Sequence, residues 1–594
     1  MFLRAQKRKK DGKTHTYWSI VENRRLPSGK VLQKSVLYLG EINSSQQAAW
    51  RKSIDIISER DSQMRQASLF DEDNAPETVD DSQIIRLRLS DLTLHNPREW
   101  GGCWLADHLY RQLQLDDFWA QKLPPSRKGT RWDLILQTLV TYRLLSPGSE
   151  WRLHRQWFDS SAMADILDQD FSLAEIHKLY KVHDMILEHR QDLFKHLTQR
   201  WKDLFNTSFE VILYDLTSTY FESVPSRDPE DIRRFGYSRD KRSDCVQVVV
   251  ALVITPEGFP LAYEVLPGNT RDCTTLKSFL EKIETLYGKA QRVWLMDRGI
   301  PTEDMLREMR ECDPPVHYLV GTPRGSLGKH EKEISECSWQ KAREDVDVKL
   351  FSKDQEVYVL ARSGKRVFKE RAMRKRKLRK LVDRLKKLRG NKKLTRDQLL
   401  IKLGQAKEEA GSIYKVMDIR VPLAEEEVNE TTFVFSINRQ KLQQIHRREG
   451  RYLLRSNLTG EDPSELWEKY MTLVQVEEAF RNLKGDLSIR PVYHQLEERI
   501  HAHIFISFMA YCLHVTLKGR LRQEAEGLTP RSVLEKIKGI QMIDVHLPTT
   551  EGSTIIMSRY TQPDKEQQLL LEKLRMRLPD QPPPRIKSTG EVQL

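Results

Sequence analysis

The sequence has few cysteines and lacks the features that mark secreted or membrane proteins. Its 594 residues include six cysteines, and no two of them form a Cys-x-x-Cys pair, which argues against a zinc ribbon and a disulfide scaffold. They are Cys103, Cys245, Cys273, Cys312, Cys337 and Cys512. No apolar run approaches the ~18–20 residues of a membrane span, and no apolar segment follows the charged N-terminus as in a secretory signal. With 39% hydrophobic residues, we expect a multidomain cytoplasmic protein.

The positive charge is concentrated in one segment. Lys365–Lys393 contains 16 Lys and Arg against two acids, and the net charge of the whole chain is +13, so the remainder is close to neutral. Leucines recur at helical spacing within the segment, which predicts an amphipathic helix with a cationic face. We expect this face to contact nucleic-acid phosphates. The candidate contacts are Arg374, Lys375, Arg376 and Lys377. A solvated helix or a short coiled coil is the alternative.

Pattern changes along the chain predict seven segments. Residues 1–62 form a small β-meander with a helix, 63–94 an acidic linker with a short strand, and 95–205 a helical domain. Residues 206–321 and 441–525 are two parts of an α/β core, separated by an insertion at 322–440 that carries the basic helix 365–393. Residues 526–594 form a hairpin, a helix and a disordered proline-rich tail. We assign the reading of DNA sequence to the first and third segments.

Two aspartates end different strands of the α/β core. Asp215 follows the apolar run Phe209–Tyr214, and Asp297 follows Arg292–Met296. An isolated aspartate after a strand is usually a turn former or a helix cap, but side chains at two strand ends can converge. Close carboxylates repel unless a proton or a cation lies between them. With no Cys or His cluster near them in sequence, the pair suggests Mg²⁺ or Mn²⁺ and phosphate chemistry.

A predicted helix at Trp467–Leu487 offers a third carboxylate. One face of it combines an acid, two cations and a phenol, because these residues are spaced by four or seven. They are Tyr470, Glu477, Arg481 and Lys484. Glu478 is turned about 100° from Glu477 and is predicted to face solvent. The alternative is a surface helix that carries ordinary ion pairs.

Together these residues resemble the D-D-E triad of bacterial insertion-sequence transposases. Asp215, Asp297 and Glu477 match the triad in order and setting. Tyr470, Glu477 and Lys484 match the Tyr-(2)-Arg-(3)-Glu-(6)-Lys signature of the insertion-sequence-four group, except that Leu473 stands at the Arg position. The blocks Phe235–Asp240, Leu266–Thr270 and Val476–Lys484 also resemble that group, and the likeness covers about Asn206–Tyr511.

The resemblance implies a fold and a reaction. The fold is a multidomain α/β protein with an RNase H-like core interrupted by a β-rich insertion, preceded by the β-meander and the helical domain. The reaction is cleavage of DNA at transposon ends and strand transfer into target DNA. Two Mg²⁺ ions, which Mn²⁺ can replace, are bridged by Asp215, with Asp297 and Glu477 each holding one.

The resemblance also implies partners. These are double-stranded DNA, as terminal inverted repeats and as target, and a second copy of the chain when assembled on DNA, in the bacterial nucleoid. Tyr470, Arg481 and Lys484 are the expected DNA contacts near the triad. A base flipped out of the duplex would stack on a tryptophan of the insertion. Trp339 is the only tryptophan there, although a core position is the more common role of such a residue.

Three other functions fit parts of the sequence. The first is a nuclease with the same metal core that cleaves without strand transfer. The second is a non-catalytic DNA-binding protein derived from a transposase, which the intact triad disfavours. The third is a basic RNA-binding protein, but the aromatic sheet motifs of RNA-recognition domains are missing.

Overall fold

A computed structural model of the chain describes residues 1–594 except 11–12, 26–30, 53, 55–84, 208, 224, 226–227, 272–274, 288–291, 298, 392–393 and 588–594. Most of the predicted acidic linker, and Cys273, lie outside the described residues.

The N-terminal segment is an antiparallel sheet followed by a helix, as predicted. Its strands are β1 (Phe2–Lys10), β2 (Lys13–Arg25) and β3 (Val31–Gly40), in the order β1-β2-β3. Residues 44–52 are helical (α1). Ile20 and Leu37 are fully buried, and the indole of Trp50 donates to the carbonyl of Glu526. The meander is therefore attached to the C-terminal part of the chain.

A helical region extends to residue 205. Its helices are α2 (Gly101–Gln112), α3 (Leu115–Lys122), α4 (Trp132–Leu145), α5 (Glu150–Arg152), α6 (Phe158–Ser160), α7 (Met163–Leu167), α8 (Ile176–Ile186) and α9 (Arg190–Phe205). Trp119 and Trp201 are fully buried, whereas Trp151 is exposed. The indole of Trp201 donates to Thr516 Oγ1 at 3.0 Å, so the core of this region is shared with residues from the far end of the chain.

The α/β core contains the five predicted strands. They are β5 (Val211–Phe221), β6 (Val246–Ile254), β7 (Pro260–Pro267), β8 (Val293–Met296) and β9 (His317–Gly321), with α10 (Leu276–Tyr287) and α11 (Glu303–Glu311) between them. Within a nine-stranded sheet they lie in the order β9-β8-β5-β6-β7. β5, β8 and β9 are parallel, and β6 is antiparallel to both β5 and β7.

The segment 322–440 is mixed rather than β-rich, which corrects the expectation. Its described elements are α12 (Glu331–Glu336), β10 (Gln340–Arg343), β11 (Val346–Lys353), β12 (Glu356–Ser363), α13 (Gly364–Arg389), α14 (Arg396–Ala410), β13 (Met417–Arg420), β14 (Val434–Ile437) and, at its end, α15 (Arg439–Arg448). The leucines of α13 form a separate core with those of α14, so the basic helix has a packing partner. Strands β10, β11 and β12 extend the central sheet through β15 (Arg451–Ser456), which pairs with β9.

The predicted helix at 467–487 is two helices. α16 (Pro463–Met471) ends before α17 (Val474–Lys484). The residues between them form backbone hydrogen bonds to the third residue before, as in a 3₁₀ turn. The N–H of Leu473 donates to Tyr470 O, and the N–H of Gln475 to Thr472 O. The predicted single helix is therefore interrupted at Thr472 and Leu473.

α18 (Glu497–Glu524) is long and apolar enough to cross a membrane by length and composition. It is the one helix among the described residues that passes this test, and 94% of its apolar window is buried inside the protein. Such burial is typical of the core helix of a folded domain. The sequence pattern did not reveal this window because polar and histidine residues interrupt it.

The C-terminal segment joins a strand from before the helical region. α19 (Pro530–Ile537), β16 (Gln541–Pro548), β17 (Thr554–Tyr560), α20 (Lys565–Lys573) and β18 (Arg585–Lys587) follow α18. The predicted hairpin forms a sheet of order β18-β17-β16-β4 with β4 (Thr93–Glu99). The expected disorder of the proline-rich tail is wrong for the described residues, because Gln581 exchanges hydrogen bonds with the backbone of Tyr560 and β18 pairs with β17.

Candidate active site

Asp215 and Asp297 follow neighbouring parallel strand positions. β5 pairs with β8 in a register that sets Tyr214 beside Met296. The two aspartates are the residues that come next, and neighbouring strands lie about 4.8 Å apart. The carboxylates predicted from separate strands therefore start from adjacent backbone positions.

Both aspartates belong to the sheet face covered by α17 and α18. Leu213 and Leu295 join the large core that includes residues of these helices, whereas Tyr214 and Met296 join a separate core on the other face. Because side chains along a strand alternate between faces, the aspartates point to the side of the two leucines. Asp215 is half-buried, and Asp297, the residue after β8, is exposed.

Glu477 is presented to this face by α17. The helix packs Val476 and Phe480 into the core beneath it and contacts β5. Glu477 is exposed and lies in the first turn of the helix, where the helix dipole stabilises a carboxylate. Asp297 and Glu477 line one cleft of about 290 Å³. The structure thus brings the three predicted carboxylates to one face of the sheet.

Glu478 forms an ion pair with a neighbouring helix. Its carboxylate lies 2.8 Å from Nζ of Lys518 on α18, and its side chain is 27% exposed. The prediction that Glu478 faces open solvent is wrong, because the turn of about 100° away from Glu477 directs it towards α18. Its engagement in an ion pair leaves Glu477 as the glutamate that faces the cleft.

A tyrosine and two arginines complete the cleft. Tyr470 of α16, Arg366 at the start of α13 and Arg451 of β15 line it together with Glu477. Sequence reasoning missed Arg451 and placed Arg366 only within the basic segment 365–393, away from the carboxylates. Arg451 reaches the cleft because β15 pairs with β9, a long-range contact that no local pattern signals.

The position where the signature has Arg does not face the cleft. Leu473 lies in the break between α16 and α17 and packs against the large core. Arg481, the candidate substitute, is exposed on α17 and is absent from the cleft lining. The arginines that do line the cleft come from elsewhere in the chain.

Trp339 is surrounded by cations rather than by core residues. It is 36% exposed, and its ring centroid lies 4.9 Å from Lys349 Nζ, 5.2 Å from Arg362 Cζ and 5.8 Å from Arg451 Cζ. Arg451 also lines the cleft, so Trp339 contacts a residue of the cleft wall. The core role considered for Trp339 does not describe this environment.

Lys484 is held in a buried ion pair. Its Nζ lies 2.9 Å from Asp240 Oδ1, and Arg490 contacts the same carboxylate. The side chains of Lys484 and Asp240 are 11% and 8% exposed. Burial lowers the pKa of Lys484, and the pairing with Asp240 opposes that shift. A direct contact between Lys484 and DNA would require breaking this pair.

The segment that carries Asp240 is fixed by close glycine packing. Gln247 Nε2 donates to Gly268 O at 2.9 Å and to Tyr237 O at 3.2 Å. A Cβ at Gly236 would lie 2.1 Å from Gly268 O, so both glycines are required for this approach. Tyr237 is 86% exposed and projects from this rigid segment.

The predicted basic helix is confirmed as α13, but its four candidate cations differ. The exposed ones are Lys375, Arg376 and Lys377. Arg374 is 10% exposed and is paired with Glu449, which is 2% exposed. Burial lowers the pKa of Arg374. Arg374 therefore stabilises the protein interior and is not a surface contact.

The donor set of the site fits a divalent cation. Asp215, Asp297 and Glu477 offer only carboxylate oxygens, which hard divalent ions prefer, and they share one face of the sheet. Two carboxylates at adjacent strand positions repel when both are ionised, and a cation removes that repulsion.

This carboxylate site lies in a recognised domain. The family described as Transposase DDE domain matches residues 207–513. The match covers more than half of the chain, and the chain belongs to this family of DDE transposases, enzymes of DNA cleavage and strand transfer that use divalent metal ions. The N-terminal domain of the IS1634 family of transposases matches residues 3–68. These matches support an insertion-sequence transposase, whereas membership of the insertion-sequence-four group is not confirmed.

Other comparisons add little. No curated protein matches the chain. Among solved structures, the cryo-EM structure of a piggyBac transposase synaptic complex with hairpin DNA is 10% identical, with a TM-score of 0.23, over 74% of this chain and 84% of that one. A TM-score this low means that the two chains superpose poorly.

Proposed function

We propose that this transposase moves DNA by cut-and-paste, cleaving at terminal inverted repeats and joining the freed ends to target DNA. The observation that supports this most is the placement of Asp215 and Asp297 at adjacent strand positions, facing the helix that presents Glu477. A nuclease without strand transfer would use the same carboxylates, and it remains the alternative.

We also propose that strands β5 to β9 form an RNase H-like core. Three antiparallel strands followed by two parallel strands, in the order β7-β6-β5-β8-β9, support this assignment. In it the first strand, β5, is central and carries the first carboxylate, while 322–440 is an insertion between the second aspartate and the glutamate.

Asp215, Asp297 and Glu477 would hold two Mg²⁺ ions. Bound there, the ions stabilise the charge on the attacking and leaving oxygens of phosphoryl transfer. The protein itself positions these three side chains through the β5–β8 register and the packing of α17.

The other cleft residues would bind the DNA strand. Arg366 and Arg451 can neutralise a phosphate, and the phenol of Tyr470 can donate a hydrogen bond to one. Trp339 would stack on a flipped base, since its exposed ring lies beside Arg451. The exposed cations of α13 would add contacts to the DNA backbone that do not depend on sequence.

We assign recognition of the transposon ends to the N-terminal sheet and the helical region. On DNA, two copies of the chain would form the complex, and it would act in the bacterial nucleoid. The whole chain is needed to test this. The helical core is completed by α18, and β4 pairs with β16, so a fragment of residues 1–205 would lack part of its own core.

Strand transfer is the activity that separates a transposase from a nuclease. Linear DNA bearing the terminal repeats of the element is incubated with full-length protein, Mg²⁺ and a supercoiled plasmid. The proposal predicts plasmids joined to repeat ends. Cleavage at the repeats without any joined product would favour the nuclease, and binding without cleavage would favour the non-catalytic protein.

A further inference from the structure

Away from the carboxylate site, a glutamate and two histidines meet in the protein interior. Glu150 begins α5, His183 lies on α8, and His494 lies in the loop after α17. Their side chains are 5%, 0% and 7% exposed. Nε2 of His183 lies 3.4 Å and Nε2 of His494 lies 3.3 Å from the same Glu150 oxygen, Oε1. One ligand atom from each residue lies within 4.8 Å of the others.

The tautomer of His183 prepares it to bind a cation. Its Nδ1 lies 2.9 Å from the carbonyl of Leu179, which can only accept, so Nδ1 carries the hydrogen. In a neutral ring Nε2 then has a lone pair. Nε2 is fully buried and has no hydrogen-bond partner among the described residues. A backbone carbonyl is one of the groups that commonly accept the hydrogen of the second ring nitrogen in a metal-binding histidine.

The two nitrogen–oxygen separations at Glu150 are compatible with a shared metal ion. A charged hydrogen bond from an imidazolium to a carboxylate would be about 2.7–2.9 Å long. Ligand atoms bound at about 2.0–2.1 Å around a tetrahedral zinc ion are separated by about 3.3–3.4 Å. Both nitrogen–oxygen separations at Glu150 have this length.

We propose that Glu150, His183 and His494 bind one zinc ion. Two imidazoles and one carboxylate are typical of zinc and unsuited to Mg²⁺, so this ion is distinct from those at the carboxylate triad. Arg143 also interacts with Glu150, and this second cation makes the site weaker than the same three ligands would be alone.

The zinc ion would fasten the helical region to the active site. The loop that carries His494 is also bound to β5, since the N–H of Val492 donates to Tyr220 O at 3.2 Å. β5 carries Asp215, and the loop follows the helix that carries Glu477. The ion thus restrains a loop that is connected to both carboxylates, through α17 to Glu477 and through β5 to Asp215. Its role is structural.

The test measures zinc in full-length protein. Wild type, His183→Gln and His494→Gln are stripped with a chelator, incubated with zinc and dialysed. Glutamine keeps a hydrogen-bonding side chain but is a poor zinc ligand. We expect about one zinc ion per wild-type chain and almost none in either variant. His177→Gln, on the exposed side of α8, and Asp297→Asn, in the triad, are the matched controls and should keep the ion.

A second readout does not depend on whether the variants fold. Wild-type protein loaded with Co²⁺ should show the intense visible absorption of a tetrahedral site, unchanged by excess Mg²⁺, and zinc should raise its unfolding temperature. If wild type retains no zinc and shows no such absorption, the proposal is wrong, and the cluster is a hydrogen-bonded Glu–His pair. Retention of zinc by folded His183→Gln would also overturn it.

Discussion

Lys484 Nζ lies 2.9 Å from Asp240 Oδ1 in a largely buried contact. The pair joins the last turn of α17 to the segment before β6. Glu477 lies two turns earlier on the same helix, so the contact fixes the helix that presents the third carboxylate. We therefore infer that Lys484 positions α17, whereas the sequence pattern assigned it to DNA.

Lys484→Ala should destabilise the protein by about 2 kcal/mol, because among the described residues it leaves Arg490 as the remaining ion-pair partner of a buried carboxylate. Cleavage should fall with it, while the salt dependence of DNA binding stays unchanged. Denaturant unfolding and DNA titrations at several salt concentrations measure both. In a double-mutant cycle with Asp240→Asn the losses should not add. Unchanged stability with a flatter salt dependence would mean that Lys484 contacts DNA directly.

The exposed cations of α13 should contribute a salt-sensitive part of DNA affinity. Replacing Lys375, Arg376 and Lys377 by glutamine should reduce the slope of log affinity against log salt by about 0.9 for each phosphate that the helix no longer neutralises. Arg374→Gln is the matched control on the same helix. It should lower stability, through its pair with Glu449, and leave the slope unchanged. If the triple variant keeps the wild-type slope, α13 is a solvated helix.

Arg451 should provide the positive charge for a DNA phosphate that the signature places at the position of Leu473. Arg451→Gln should lower cleavage of end DNA by about 10- to 100-fold, since a charged contact to a phosphate in the cleft is worth about 1.5–3 kcal/mol. Arg481→Gln, outside the cleft lining, should have a much smaller effect. Cleavage rates at saturating DNA compare the two. The opposite order would return the role to Arg481.

His514 on α18 should make stability depend on pH. Burial lowers its pKa to about 4, although Asp486 partly opposes the shift. In the unfolded chain its pKa is about 6.5, so between these values the unfolded state binds more protons and stability falls as pH falls, by at most about 1.4 kcal/mol per pH unit. Unfolding free energies at pH 7, 6 and 5 should fall less steeply in His514→Gln than in wild type or His177→Gln. Equal slopes in all three would contradict this assignment.

The local sequence pattern predicted those site residues whose position depends on a single strand or helix. Asp215 and Asp297 were proposed because each follows an apolar run, although β5 continues past Asp215 to Phe221 and only Asp297 follows a strand end. α13 was predicted because its leucines recur at helical spacing. These signals lie within a few residues of one another, so a single sequence reveals them.

The features that the sequence did not reveal depend on contacts between residues far apart in the chain. Arg451 reaches the cleft through the pairing of β15 with β9, and Lys484 meets Asp240 across more than two hundred residues. The break at Leu473 was missed because the apolar pattern continues through it. The grouping of Glu150 with two distant histidines depends on tertiary packing alone.

The most direct test of the central claim is Mg²⁺-dependent cleavage of end DNA by matched variants of the acidic residues. Asp215→Asn, Asp297→Asn and Glu477→Gln should each abolish cleavage while DNA affinity stays near wild type. Glu478→Gln, next to Glu477 but paired with Lys518, should retain it. Cleavage that survives in Asp215→Asn, or equal loss in the Glu477 and Glu478 variants, would contradict the proposed site.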